Sequence, residues 1–406
     1  MFRNQSFKHR ELRLNSLAGS LTARRHDTLE TLEPIWRMLE TKGLATAFQQ
    51  FDWVRTMKED LIRQTGAQPF VVEVNDAQSG EIRMLLPFIL IRKATHSIIE
   101  YMGLGVCDIS APLLAPNYSY PEEAGEALWT AIAAAFPKAD LVHIDQIATR
   151  IHGHINPLAA LPAIRPIPLQ SFDVVIDGDP ETIVDRLANN QTRRILKTSA
   201  RRMAERGDVR FLTATTKADL DELLPVMIAQ RLERFRGLGR FDLLADPHVQ
   251  SFYKNAAIAS LDGRGPVRVF GLSVGGEWIA TVYGLVHAGT FHLTIITMAS
   301  GDWQACSPGM ATIAQFIRWS RQAGLTMIDF SVGEMAYKTG FGAHAHDLYA
   351  VLQPLTIRGR LVVAIRDTGI RLRKKMKAHP TLFRYLQSAM QFYRRKRSSL
   401  SVYLKK

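Results

Sequence analysis

Two cysteines in 406 residues, Cys107 and Cys306, cannot build a disulfide framework. Neither belongs to a Cys-x-x-Cys pair or any other ligand-like spacing, so a structural zinc site is excluded as well. His152/His154 and His344/His346 show His-x-His spacing but no third ligand in fixed register, and no metal is expected. Long apolar runs are also missing. The densest one, Leu85 to Ile91, is far short of the roughly 18 residues a spanning helix needs and reads as a buried strand. The first 25 residues hold no apolar stretch of secretory type. Together these absences predict a chain that works in a reducing cytoplasm.

Charge is present, but unevenly. The formal net charge is +13, yet residues 1–25 carry six Lys/Arg against one Glu, and residues 358–406 carry fifteen against one Asp. The body between them is mildly acidic. Basic ends on an acidic body argue against a protein that binds nucleic acid over its whole surface. The tail alternates Leu361, Val362, Ile365 and Ile370 with basic residues at helical spacing, the pattern of a segment that lies on an anionic surface from the cytoplasmic side. A helical extension packed on the body is the competing reading.

What is abundant is concentrated between Pro266 and Gly342. VRVFGLSV, EWIATVYGLV and FHLTIITM are rich in β-branched and aromatic residues and are separated by Gly275-Gly276 and by His287-Ala288-Gly289, which predicts an antiparallel three-stranded meander. Ser307-Pro308-Gly309 then offers an N-cap, a first-turn proline and a small residue, with Ile313, Phe316 and Ile317 on one face of the helix that follows. The run Thr326 to Val332 is a strand returning beside the meander through this helical crossover. The free amides and positive dipole end of such a helix form a seat for phosphate, and Gly309 would allow close approach.

This order resembles the core of the GNAT acyltransferases, more specifically the CelD/BcsL-type acetyltransferases associated with cellulose biosynthesis, and more distantly the Fem-type peptidyltransferases. The residues that carry the resemblance are Gly275-Gly276-Glu277 with Ala280, Pro308-Gly309, Ile328-Asp329-Phe330, and Gly333-Glu334 followed by Tyr337-Lys338. Those families have Gly-Asp-x-x-Tyr-Lys at the last position, and Glu334 stands in place of the Asp. Their Arg/Gln-x-x-Gly-x-Gly/Ala loop is absent.

The resemblance implies acyl transfer, most directly from acetyl-CoA, to an amine or hydroxyl of a sugar, a polyamine-like molecule or an exopolysaccharide precursor. Glu334 would act as general base, Tyr337 would protonate the leaving group, and Lys338 would neutralise charge. The donor would lie against Ser307, Gly309, Met310, Ile296 and Met298. Expected substrate contacts are Arg193 and Arg194 on a basic helix, Asp302, and Asp329, for which a buried structural hydrogen bond is an equal reading. Two other functions stay open: a Fem-like transferase that uses aminoacyl-tRNA bound by the Arg-rich helix, and a silent scaffold in envelope polysaccharide synthesis. Nucleic acid other than tRNA is not expected, since the basic helix lacks interleaved aromatics.

Upstream, PFVVEV, EIRMLLPFILIRK and SIIEYMGLG give another meander, followed by a helix with Trp129 and a strand with Ile144-Asp145. The same order appears twice, so the expected fold is α/β with two tandem GNAT-like domains, each a mixed sheet with a three-stranded antiparallel meander flanked by helices. The divisions are a disordered basic arm over 1–28, a degenerate domain over 29–160, the acyltransferase domain over 161–357, and a basic helical tail over 358–406. A proline-punctuated linker is expected over 157–172.

Overall fold

The computed structural model describes residues 21–116, 124–263 and 265–377. The strands are β1 (Leu21–His26), β2 (Gln68–Asp76), β3 (Ile82–Arg92), β4 (Ser97–Tyr101), β5 (Leu113–Leu114), β6 (Leu141–Ala148), β7 (Arg150–Ile151), β8 (His154–Ile155), β9 (Ile164–Val175), β10 (Val209–Thr213), β11 (Val267–Val274), β12 (Glu277–His287), β13 (Thr290–Met298), β14 (Met327–Val332) and β15 (His344–Pro354). All but the β7–β8 ribbon join one mixed sheet in the order β1-β2-β3-β4-β6-β15-β9-β14-β13-β12-β11-β10, with β5 added to β3. The helices are α1 (Glu33–Lys42), α2 (Phe51–Met57), α3 (Gly125–Ala135), α4 (Ile183–Leu187), α5 (Asn190–Ala204), α6 (Lys217–Gly237), α7 (Pro247–Ile258), α8 (Pro308–Gln322), α9 (Ala336–Gly340) and α10 (Ile357–Lys377).

The motif read twice in the sequence is built twice. Antiparallel β2-β3-β4 leads through α3 to β6, which runs parallel to β4. Antiparallel β11-β12-β13 leads through α8 to β14, parallel to β13. The second half's last strand, β15, then pairs antiparallel with both β6 and β9 and closes the seam between the halves. On one face, α1, α2, α6 and α7 share a core across the seam, where Trp53 meets Phe252 edge-on at 4.6 Å between ring centroids. On the other face, α3 covers the first half and α8 the second.

Two local expectations change, and the tail follows its packed reading over the residues described. Residues 21–26, placed in a disordered arm, form an edge strand on β2, while residues 1–20 lie outside the described residues. The expected linker over 157–172 is a short helical turn, Pro157–Ala160, followed by β9. Pro166 and Pro168 fit there because this half of β9 pairs with β15 alone, and β14 joins only from Ser171 onward, so a missing N–H breaks no second ladder. The tail begins as α10, whose Val362 and Val363 pack on Ile98, Leu141 and Leu352; residues 378–406 fall outside the described residues.

Candidate active site

The site forms where two parallel strands part. β13 and β14 pair at Thr290↔Met327, Phe291↔Ile328 and His292↔Asp329, and the ladder ends there. Each strand has a local cause for turning away. On β13, Tyr283 faces Ile295 and Gly284 faces Leu293, so Thr294 is an extra residue that twists the strand. On β14, Ser331 adopts φ 63° and its amide donates to Asp329 Oδ1 at 2.7 Å in place of a ladder partner. The gap opens into a cavity of about 730 Å³, floored by both strands and bounded by the start of α8, the end of α6 and the segment Gly333 to Lys338.

All five expected donor contacts, Ser307, Gly309, Met310, Ile296 and Met298, line this cavity. Ser307 is there for a different reason than capping: it sits at φ 48°, ψ 52° and its side chain caps nothing. Its carbonyl instead accepts from Met310 N at 3.0 Å, which leaves Gly309 N–H as the first amide without an intrahelical partner. A Cβ on Gly309 would lie 2.8 Å from Met298 Cε, so a larger residue there displaces the end of the Met298 side chain.

The basic helix does not reach the cavity. Arg202 Nη1 donates to Ala305 O at 2.5 Å, Arg206 Nη1 to Asp302 O at 3.0 Å, and Ser199 Oγ to Cys306 O, so α5 staples the carbonyls of the turn before α8. Arg193 Nε is bound to Asp185 O at 2.8 Å, and Arg193 and Arg194 are exposed away from the lining residues. Asp302 is exposed on that turn, outside the cavity. Asp329 is buried behind it, with His292 Nδ1 at 3.0 Å from Oδ2. The arginines that do line the cavity, Arg231, Arg234 and Arg240, come from α6 and the loop after it, a helix the sequence presents only as an apolar stripe.

Glu334, Tyr337 and Lys338 all line the cavity, in three different environments. Glu334 is exposed at the lip. Tyr337 is half-buried beside Phe330, and burial pushes its hydroxyl up to about 12, so it stays protonated at neutral pH. Lys338 does not form a surface pair with Glu334. It is 2% exposed, its ammonium donates to Ser331 O at 2.9 Å and Val332 O at 3.0 Å, and one of its three N–H groups remains. Burial lowers it to about 8 against the opposing pull of Asp329 and Asp108.

Asp108 is the residue the sequence hid. It comes from the loop after β4, in the first half of the chain, accepts from Ser331 Oγ, and lines the second half's cavity. Burial raises its carboxyl to about 6, with Asp329 adding to the rise and the Ser331 hydrogen bond opposing it. A Cys-Asp-Ile-Ser loop carries no periodicity or spacing that would mark it. Thr294 is a further unforeseen member: it lines the cavity, and its buried hydroxyl has no partner. The groups gathered here are a buried carboxylate, a protonated phenol, a lysine near neutrality and free backbone amides, a set able to move a proton and to stabilise an oxyanion.

Comparison with known proteins bears on the fold. Residues 190–339 match the family model described as Acetyltransferase (GNAT) domain. FemX superposes with a TM-score of 0.55 at 11% identity, over 80% of this chain and 96% of that one. L-PGS from Bacillus licheniformis gives 0.47 at 13% identity over 84% and 98%, and a tandem GNAT protein from the clavulanic acid biosynthesis pathway gives 0.43 at 11% over 82% and 98%. Comparison with curated proteins finds no match. The fold is mixed α/β, its second half matches the GNAT domain over residues 190–339, and the meander, helix and parallel strand are built twice in the chain itself; identities this low speak for fold alone.

Proposed function

We propose that the protein transfers an acyl group from a pantetheine thioester, acetyl-CoA in the first instance, to an amine or hydroxyl acceptor in the cavity between β13 and β14. The parting of these strands supports this most. Beyond His292 the edge of β13 that faces β14 has no ladder partner, and Thr294 to Met298 offer backbone groups to an extended chain carrying amides. Pyrophosphate would sit against the Gly309 amide and the dipole of α8.

In this reading Glu334 or Asp108 takes the acceptor's proton and Tyr337 protonates the departing thiolate. Lys338 holds the end of β14 and presents one remaining N–H toward the charge that develops. The sugar or exopolysaccharide acceptor stays part of the proposal, as does contact of the basic tail with a cytoplasmic membrane face. The expected domain boundary near residue 160 is likewise proposed.

A second reading, transfer from aminoacyl-tRNA, draws on Arg234 and Arg240. Both are exposed on the lining and pair with no carboxylate among the described residues. Calorimetric titration separates the two: saturable acetyl-CoA binding, with free thiol released once an amino sugar is added, supports the first. Tight tRNA binding without acetyl-CoA binding replaces it with the second.

A further inference from the structure

The rim of the cavity has a composition that small-molecule chemistry does not require. Large apolar side chains are exposed at few places in the described residues, and four of them lie in or next in chain to the lining: Leu238 at 55%, Phe241 at 76%, Leu243 at 41% and Met335 at 43%. Leu238 and Met335 line the cavity itself, Phe241 follows the lining residue Arg240, and Leu243 lines a small polar pouch of about 120 Å³ that shares Asp108, Arg231 and Thr294 with the cavity. An exposed phenylalanine three residues from one exposed leucine and two from another is an unusual surface stretch for a protein in water.

The same stretch is cationic. Arg234, Arg236 and Arg240 are exposed around the apolar residues, whereas Asp242 is buried and neutralised by Arg231 Nε at 2.8 Å. Glu233 is exposed and accepts from Ser300 Oγ at 2.6 Å, and Glu334 is the exposed carboxylate of the lip, so three arginines face two carboxylates here. The stretch is open to solvent: residues 236–241 are all exposed, a Cβ at Gly237 or Gly239 would meet nothing within 4 Å, and Gly239 turns the chain at φ 63° just before Arg240 and Phe241. An exposed loop that carries an aromatic ring with guanidinium groups next to it in the chain has the chemistry of a bilayer interface, where rings sit at headgroup depth and arginines meet lipid phosphates.

We propose that the mouth of this cavity docks on an anionic lipid surface, with Phe241 and Leu238 inserted at headgroup depth and Arg236 and Arg240 on lipid phosphates, so that the acceptor is one borne by lipid. The surface is separate from the basic tail. The consequence for the acceptor rests on the proposed acyl transfer, but the docking itself does not.

The full chain carrying Phe241→Trp is mixed with vesicles of equimolar phosphatidylcholine and phosphatidylglycerol, or of phosphatidylcholine alone, and its emission is compared with that of the unsubstituted chain. The added indole is expected to shift to the blue and to be quenched by brominated lipid chains with the anionic vesicles only, and to be released by high salt. Phe241→Ser with Leu238→Ser is expected to weaken vesicle partitioning by about tenfold or more, and Arg240→Glu to weaken it at low salt and flatten its dependence on salt. Vesicle binding with the added indole still in water would assign the membrane contact to the tail and overturn the proposal, as would no binding at low salt. Acetyl-CoA titration without lipid is run alongside. Its failure removes the donor assignment and leaves the docking result standing.

Discussion

His292 and Asp329 face each other on the last rung shared by β13 and β14, with Nδ1 3.0 Å from Oδ2, and beyond them the strands separate. The carboxylate thus has two tasks: it holds the imidazole on one strand and, through Oδ1, replaces the lost ladder bond of Ser331 on the other. The opening of the site is therefore anchored by a buried polar pair.

Asp329→Ala is expected to destabilise the fold by about 2–3 kcal/mol, because it leaves the Ser331 amide and the His292 ring nitrogen buried without partners. Asp329→Asn, which keeps one acceptor, should cost less. Urea unfolding of the three proteins measures both; equal midpoints would mean that the strands part for another reason.

Asp108 makes stability depend on pH in a defined direction. Its folded-state carboxyl is raised to about 6 from an ordinary value near 3.8, so the folded state binds the proton more tightly. The contribution is fully present below about pH 4 and lost as pH rises through about 6. The stability of the wild type relative to Asp108→Asn should thus fall between pH 4 and 7, by up to about 3 kcal/mol for a shift of this size. A difference that stays flat over this window would show that the carboxyl is not raised.

Tyr337→Phe and Glu334→Gln are each expected to lower turnover at least about tenfold while leaving the fold intact, since loss of a proton-transfer group typically costs ~10²-fold or more. Thiol-release kinetics with circular dichroism as the control for folding test this. If Glu334→Gln is nearly silent while Asp108→Asn abolishes an activity limb near pH 6, the base is Asp108. Near-wild-type turnover in both of the first two variants takes the Gly333–Lys338 segment out of the chemistry.

How far the sequence revealed this site depends on how local each contribution is. The strands β11 to β14 and helix α8 are readable because each buries a face at a regular period, whereas the cavity-lining residues on them, Ile296, Met298, Ser307, Gly309 and Met310, are those the GNAT resemblance implies. Lys338 lines the cavity, as the resemblance implies, but its burial is not legible in the sequence: the two carbonyls at the end of β14 draw its ammonium inward. Asp108 depends on the seam between the halves, and that seam depends on β15 inserting between β6 and β9, a pairing across more than 170 residues that no periodicity records. Arg193 and Arg194 belong to a stretch dense in basic residues, but Arg202 of α5 and Arg206 just beyond it are spent on carbonyls of their own fold.

Gly309→Val is expected to weaken donor binding more than acceptor binding, and the geometry now gives the route. The new side chain strikes Met298 Cε before it reaches the space above the amide. Adding Met298→Ala to Gly309→Ala should therefore recover part of the donor affinity that Gly309→Ala alone loses. Calorimetry with acetyl-CoA distinguishes the cases: no recovery would mean that the substitution blocks the amide itself.

The tail has two parts with separable roles. Val362 and Val363 of α10 cover Ile98, Leu141 and Leu352, while Ile357, Leu361 and Ile365 are exposed on the same helix at 85%, 62% and 64%. Truncation after residue 357, which removes this cover, is expected to lower stability by a few kcal/mol, as uncovering two or three branched side chains at about 1–2 kcal/mol each requires. Truncation after residue 377 keeps α10 and should leave the unfolding midpoint unchanged while reducing salt-sensitive sedimentation with anionic vesicles, because seven of the tail's fifteen Lys/Arg residues lie beyond that point. Equal stability of the two truncated chains would show that α10 contributes nothing to the core. Undiminished sedimentation of the longer one would place the membrane contact on residues before 378.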